Sequence, residues 1–122
     1  MSLDVSLNRK ADEQIVCSEC GQHYFPNYSV YDAIITHNLG EMADAAGIYG
    51  IVWRPEENGI TTAEQLIEPL EKAIADMKAR PEYYEQFNSP NGWGTYKDFV
   101  PWLEKYLAAC KEYPDAVVEV SR

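Results

Sequence analysis

The chain has 122 residues, 20 acidic side chains against 10 basic ones, and a formal net charge of -10. Its length suits one core and is too short for two, since a domain of this size buries roughly two-thirds of the surface its unfolded chain exposes. The charge argues against direct binding of a nucleic-acid backbone or an anionic membrane, which relies on Lys and Arg, and 46% hydrophobic residues argue against a disordered chain.

Leu3 to Leu7 alternates apolar and polar residues with period two, as a half-buried strand does. Ala116 to Ser121 repeats the pattern with Val118 and Val120 on one face, and antiparallel pairing of the two segments would join both ends of the chain in one sheet. Between them, residues at about 13–26 read as a hairpin folded at the knuckle Cys17-Ser18-Glu19-Cys20-Gly21. Ser29 to Ile35, rich in β-branched and aromatic residues, predicts another strand. Thr36 is placed as an N-cap, and Leu39, Met42, Ala43 and Ala46 then recur at helical spacing up to Gly47, a C-terminal stop. A helix starting at Ser29 competes with that reading, because Ser29 and Asp32 mimic a capping box.

After the apolar run from Tyr49 to Arg54 and the turn-like Glu56-Glu57-Asn58-Gly59, the stretch Thr61-Thr62-Ala63-Glu64-Gln65 resembles a capping box. It opens an apolar stripe of Leu66, Leu70, Ala73, Ile74 and Met77, in which Pro69 predicts a kink or a division. A short helix is expected after Pro81. The last helix carries Phe99, Leu103, Tyr106, Leu107 and Cys110 on one face, its regular part beginning near Asp98 because of Pro101. The predicted fold is one α+β domain over residues 1–122: a small antiparallel sheet with N- and C-terminal strands paired, packed against about three helices.

Cys17 and Cys20 have the C-x-x-C-G form of a zinc knuckle, in which glycine permits a tight turn that aims both thiolates at one ion. A structural zinc normally takes four ligands, and a second C-x-x-C is absent. The candidates to complete the set are His37 first, then His23, Glu19, Glu41 or a ligand from a second subunit. A redox role is weaker, since no βαβ pattern surrounds the pair. Cys110 reads as a small core residue. An odd cysteine count, no signal-peptide pattern at the amino terminus and no stretch near the roughly 20 apolar residues of a membrane span suggest a cytoplasmic protein.

Thr36-His37-Asn38 gathers a hydroxyl, an imidazole and an amide at a helix start, where an anion could bind or His37 could act as a general base. No nucleophile can be paired with His37 from the sequence, so a hydrogen-bonding role for it competes with catalysis. Two polar-aromatic loops, Trp53-Arg54-Pro55-Glu56-Glu57-Asn58-Gly59 and Asn91-Gly92-Trp93-Gly94-Thr95-Tyr96, carry residue types that dominate binding hot spots. Equally, each Trp can close an edge of the core, with Arg54 paired to a local carboxylate. The candidate ligand-binding set is therefore His37, Asn38, Trp53, Arg54, Asn91 and Trp93, and the candidate metal set is Cys17, Cys20 and His37.

The segments Met1-Ser2-Leu3-Asp4-Val5, Ile35-Thr36-His37-Asn38-Leu39, Trp53-Arg54-Pro55-Glu56-Glu57, Asn91-Gly92-Trp93-Gly94-Thr95-Tyr96 and Val120-Ser121-Arg122 resemble those of a group of small proteins carried by bacteriophages and bacterial genomes. That resemblance spans nearly the whole chain and implies a phage-type accessory protein, with no activity attached. The leading reading is thus a non-enzymatic accessory or binding module for a protein or small molecule, with one structural zinc as an option. The alternatives are a zinc-dependent hydrolase using Cys17, Cys20 and His37, and an acidic inhibitor that mimics nucleic acid.

Overall fold

The alternating amino-terminal segment forms the strand β1 (Ser2–Lys10), which lies at the centre of a sheet ordered β4-β1-β5. The computed structural model describes residues 2–10, 15–16, 19, 21, 23–24 and 27–122. Within them β2 (Ile15–Val16) pairs antiparallel with β3 (His23–Tyr24) in a separate two-stranded sheet. The strand β4 (Asn27–Thr36) runs antiparallel to β1, with Leu3 opposite Ile35, Val5 opposite Ala33 and Leu7 opposite Tyr31. On the other side β5 (Val117–Ser121) sets Val120 opposite Val5 and Val118 opposite Leu7, so the two terminal strands are paired.

Period two gives this sheet one apolar face and one polar face. Leu3, Val5, Leu7 and Val118 are buried on the first, where each Leu contributes about 1.5–3 kcal/mol. Asp4, Ser6 and Asn8 point to the other, in cross-strand rows with Ile34, Asp32 and Ser29 of β4 and with Ser121, Glu119 and Val117 of β5. The outer edge of β5 is closed by residues 61–63, through Val118 N–H donating to the Thr61 carbonyl at 2.9 Å and Ala63 N–H to that of Ala116 at 2.9 Å. At the outer edge of β4, the Trp102 indole N–H donates to the Ile34 carbonyl at 3.0 Å.

The sheet's strand β4 continues to Thr36 and excludes the competing helix at Ser29. Thr36 then caps a 3-10 turn, His37–Leu39, its Oγ1 accepting the Asn38 N–H at 3.2 Å. Two short helices follow, α1 (Gly40–Ala45) and α2 (Tyr49–Trp53), and a 3-10 turn at Pro55–Glu57. The capping pattern at Thr61-Thr62 is satisfied by Gln65, whose Oε1 accepts the N–H groups of Thr61 at 2.6 Å and Thr62 at 3.1 Å.

Helix α3 (Glu64–Ala79) passes through Pro69 without a break, where the sequence predicts a kink or division. A proline inside a helix costs ~3 kcal/mol or more, but Leu66, Leu70 and Ile74 are buried on the same stripe and together outweigh it at about 1.5–3 kcal/mol each. Helix α4 (Pro81–Glu85) starts at its proline. Helix α5 (Tyr96–Glu112) begins two residues before the expected Asp98, because the Asn88 side chain reaches across to accept the Tyr96 N–H at 2.7 Å.

Helices α3 and α5 pack on each other, and α5 also meets the sheet at β4. A chain of aromatic contacts runs through this core, from Tyr49 to Trp53, Phe99, Trp102, Tyr106 and Tyr31, each ring within 5.4–6.3 Å of the next. Cys110 is buried beside it, and burial pushes its thiol up to about 12, so it stays a neutral core residue. Among the described residues no helix is long and apolar enough to cross a membrane.

Candidate functional site

Where β4 ends, the strand turns sharply into the 3-10 turn and leaves His37 half-buried and Asn38 exposed. The loop before α5 returns to the same place. Gly94, itself buried, has φ +110°, and a Cβ there would lie 3.1 Å from Asn38 Cβ, 3.2 Å from Thr36 Cγ2 and 3.3 Å from Leu39 Cγ. Glycine suits both the positive φ and the close approach of this backbone to the Thr36, Asn38 and Leu39 side chains. The Asn38 side chain locks the contact by donating through Nδ2 to the Trp93 carbonyl at 2.8 Å. Asn91 stiffens the loop from within: its Oδ1 accepts the Trp93 N–H at 2.9 Å and the Ser89 hydroxyl at 2.6 Å.

These segments line a shallow depression of about 780 Å³, formed by Ile34, Thr36, His37, Asn38, Asn91 and Trp93, with Ser2 at its edge. Trp93 is 71% exposed and Ile34 60%, the two most exposed large apolar residues among the described ones. Beneath them the buried Trp53 donates its indole N–H to His37 Nδ1 at 3.0 Å. Because Nδ1 accepts, the neutral imidazole carries its proton on Nε2 and presents a donor there.

Four of the six sequence-predicted ligand-binding residues therefore meet: His37, Asn38, Asn91 and Trp93. Trp53 supports the site from the core, and Arg54 stands apart in an ion pair with Glu57 at 2.7 Å. Arg122 ties the end of β5 to this second loop, donating to the Trp53 carbonyl at 2.9 Å and to Glu56 at 2.5 Å. The Glu56 carboxyl is held below its usual range, first by its own backbone N–H and then by Arg122. Ile34 and Ser2 entered no sequence-predicted set. Two consecutive isoleucines at a strand end were the available signal for Ile34, since alternation must turn one of them outward.

No family model, curated protein or solved structure matches the chain. The chemistry of the site rests on its own side chains. Among the described residues His37 is the only titratable one that lines the depression, and no Ser, Thr or Cys side chain is hydrogen-bonded to it. Cys17 and Cys20 lie outside the described residues, and among the described ones no three His, Cys, Asp or Glu side chains form a metal-binding group. A histidine that ligates a metal usually donates its other ring N–H to an acceptor. At His37 that other nitrogen accepts from Trp53, so a metal at Nε2 would require this bond to break.

A second polar cluster joins α3 to α4. Asp76 accepts from Arg80 at 2.6 Å and from the Tyr84 hydroxyl, while the Arg80 guanidinium lies 4.7 Å from the centre of the Tyr83 ring. Burial and then the Asp76 carboxylate push the Tyr84 phenol up to about 12. Its hydrogen bonds converge on the Asp76 carboxylate and tie the turn between the two helices together.

Proposed function

We propose that the protein is a non-enzymatic binding module whose recognition surface is the depression between the end of β4 and the Trp93 loop. The observation that carries this reading is the state of Trp93: its side chain is 71% exposed while its backbone is pinned from both sides by Asn38 and Asn91. Solvent-exposed tryptophan has a hydrophobic cost that a purely structural loop has no reason to bear, and tryptophan is among the residues that dominate binding energy. A pinned loop also loses little freedom when a ligand arrives. The accessory role implied by the phage-type resemblance agrees with such a module. A structural zinc at Cys17 and Cys20 is compatible with it, drawing its remaining ligands from elsewhere than His37 as bonded here.

The test is a screen of small molecules and peptides by thermal shift, followed by amide NMR on each hit. Ligands are expected to raise the melting temperature and to move the signals of the Trp93 indole and the Asn38 and Asn91 side-chain amides. Hits that map to the shallow groove between α3 and α5, lined by Ile74, Lys78, Glu104 and Leu107, or that are turned over during the measurement, would overturn the proposal.

A further inference from the structure

A quarter of the chain is charged, yet among the described residues none that lines the depression is Asp, Glu, Lys or Arg. Its polar groups are hydroxyls, carboxamides and one imidazole, which both donate and accept without net charge. Their orientations follow from the bonds already made. Asn38 spends Nδ2 on the Trp93 carbonyl and presents Oδ1 as an acceptor; Asn91 spends Oδ1 on Trp93 and Ser89 and presents Nδ2 as a donor. His37 presents Nε2–H, and Thr36 Oγ1, which accepts from Asn38, keeps its own proton to donate. Beside this mixed set stand the exposed Trp93 indole and the Ile34 side chain.

Building on the binding-module reading, we infer that the depression takes a neutral saccharide. A sugar ring has a C–H face that suits the electron-rich face of an indole, and a rim of hydroxyls that each donate and accept. Both halves of that chemistry are available here within one shallow, uncharged surface. A phosphate- or sulfate-bearing ligand would find no cation in the lining among the described residues and would approach a molecule of net charge -10. A cationic peptide is less well served: the carboxylates of Asp4, Asp32 and Glu119 line the neighbouring hollow on the sheet face, not the depression itself. Two of them are already engaged, Asp32 by Ser29 at 2.6 Å and Glu119 by Asn8 at 2.9 Å.

The inference is tested by titrating the intact protein with cellotriose, maltotriose and triacetylchitotriose, each followed by tryptophan emission and amide NMR. At least one is expected to bind saturably at about 1 mM or tighter, moving the Asn38 and Asn91 side-chain amides. Trp93→Ala should weaken that binding by about tenfold or more, as loss of a hot-spot side chain does, and Trp93→Phe should restore part of it. Adenosine, a sulfated disaccharide and an oligolysine peptide run in parallel. If one of these binds at Trp93 and no saccharide does, the saccharide assignment fails while the recognition surface stands. If a saccharide binds with the same affinity to Trp93→Ala, both are overturned.

Discussion

Trp53, the last residue of α2, and Trp93, in the loop before α5, each adjoin a stretch rich in polar residues and glycine, yet Trp53 retains 2% of its surface and Trp93 71%. Trp53 belongs to the buried side of α2 with Val52, so its indole points inward to stack on Tyr49 and meet the edge of Phe99. The loop of Trp93 is anchored through Gly94, beside which the Thr36, Asn38 and Leu39 side chains take the space a side chain would need, and Trp93 itself is left outward. Loop composition is thus a poor guide to role. What separates a packing tryptophan from a presenting one is which neighbouring residue takes the buried place.

That contrast is broken most forcefully at Trp53. Trp53→Ala should cost about 3–5 kcal/mol in chemical denaturation, the usual loss for deleting a buried tryptophan. Trp53→Phe keeps most of the packing and gives up only the indole N–H, so it should cost clearly less. Equal losses for the two variants would mean that the bond to His37, rather than the ring, holds this part of the core.

Gly94 comes next. Gly94→Ala combines left-handed backbone strain of about 1–2 kcal/mol with contacts at 3.1–3.3 Å to Asn38, Thr36 and Leu39, and overpacking of that kind adds about 1–3 kcal/mol. Gly92 has φ +77° and nothing within 4 Å of an added Cβ, so Gly92→Ala should cost only the strain. A Gly94→Ala protein as stable as Gly92→Ala would show that the two loops do not need their close approach.

A smaller effect is expected at the link between the regions. His37→Leu leaves the Trp53 indole N–H without its acceptor, at a cost of about 1–3 kcal/mol. The double variant with Trp53→Phe removes donor and acceptor together, and the cycle should recover part of that loss. Strict additivity of the two single changes would sink the hydrogen bond as an energetic contact.

The legible parts of this molecule were those with one dominant local signal. Period two announced β1 and β5, and both formed and paired; Thr36 announced a cap, and its hydroxyl serves as one. Illegible were features set by partners distant in sequence. That α3 is not divided at Pro69 depends on the burial of its neighbours, a tertiary property, and α5 starts early because Asn88 caps it from another segment. At the site, four residue names were available from their chemistry, but nothing in the spacing of 37–38 and 91–93 said that these segments touch. Ile34 was hidden for a related reason: a strand residue looks alike from sequence whether its face is covered or open, and only the bare side of the sheet makes it part of a surface.

The smallest stability effect should belong to the residue that matters most for recognition. Trp93 makes its anchoring bonds through its backbone, with the N–H donating to Asn91 and the carbonyl accepting from Asn38, and both persist whatever side chain is attached. Trp93→Ala should therefore change stability by no more than about 0.5 kcal/mol, the range of ordinary surface substitutions, with the loop amides equally protected from exchange. A loss comparable to that of Trp53→Ala would move Trp93 into the same class as Trp53 and remove the ground for treating its exposure as functional. Wild-type stability combined with lost ligand response would instead separate the two indoles completely, one holding the fold and the other facing the ligand.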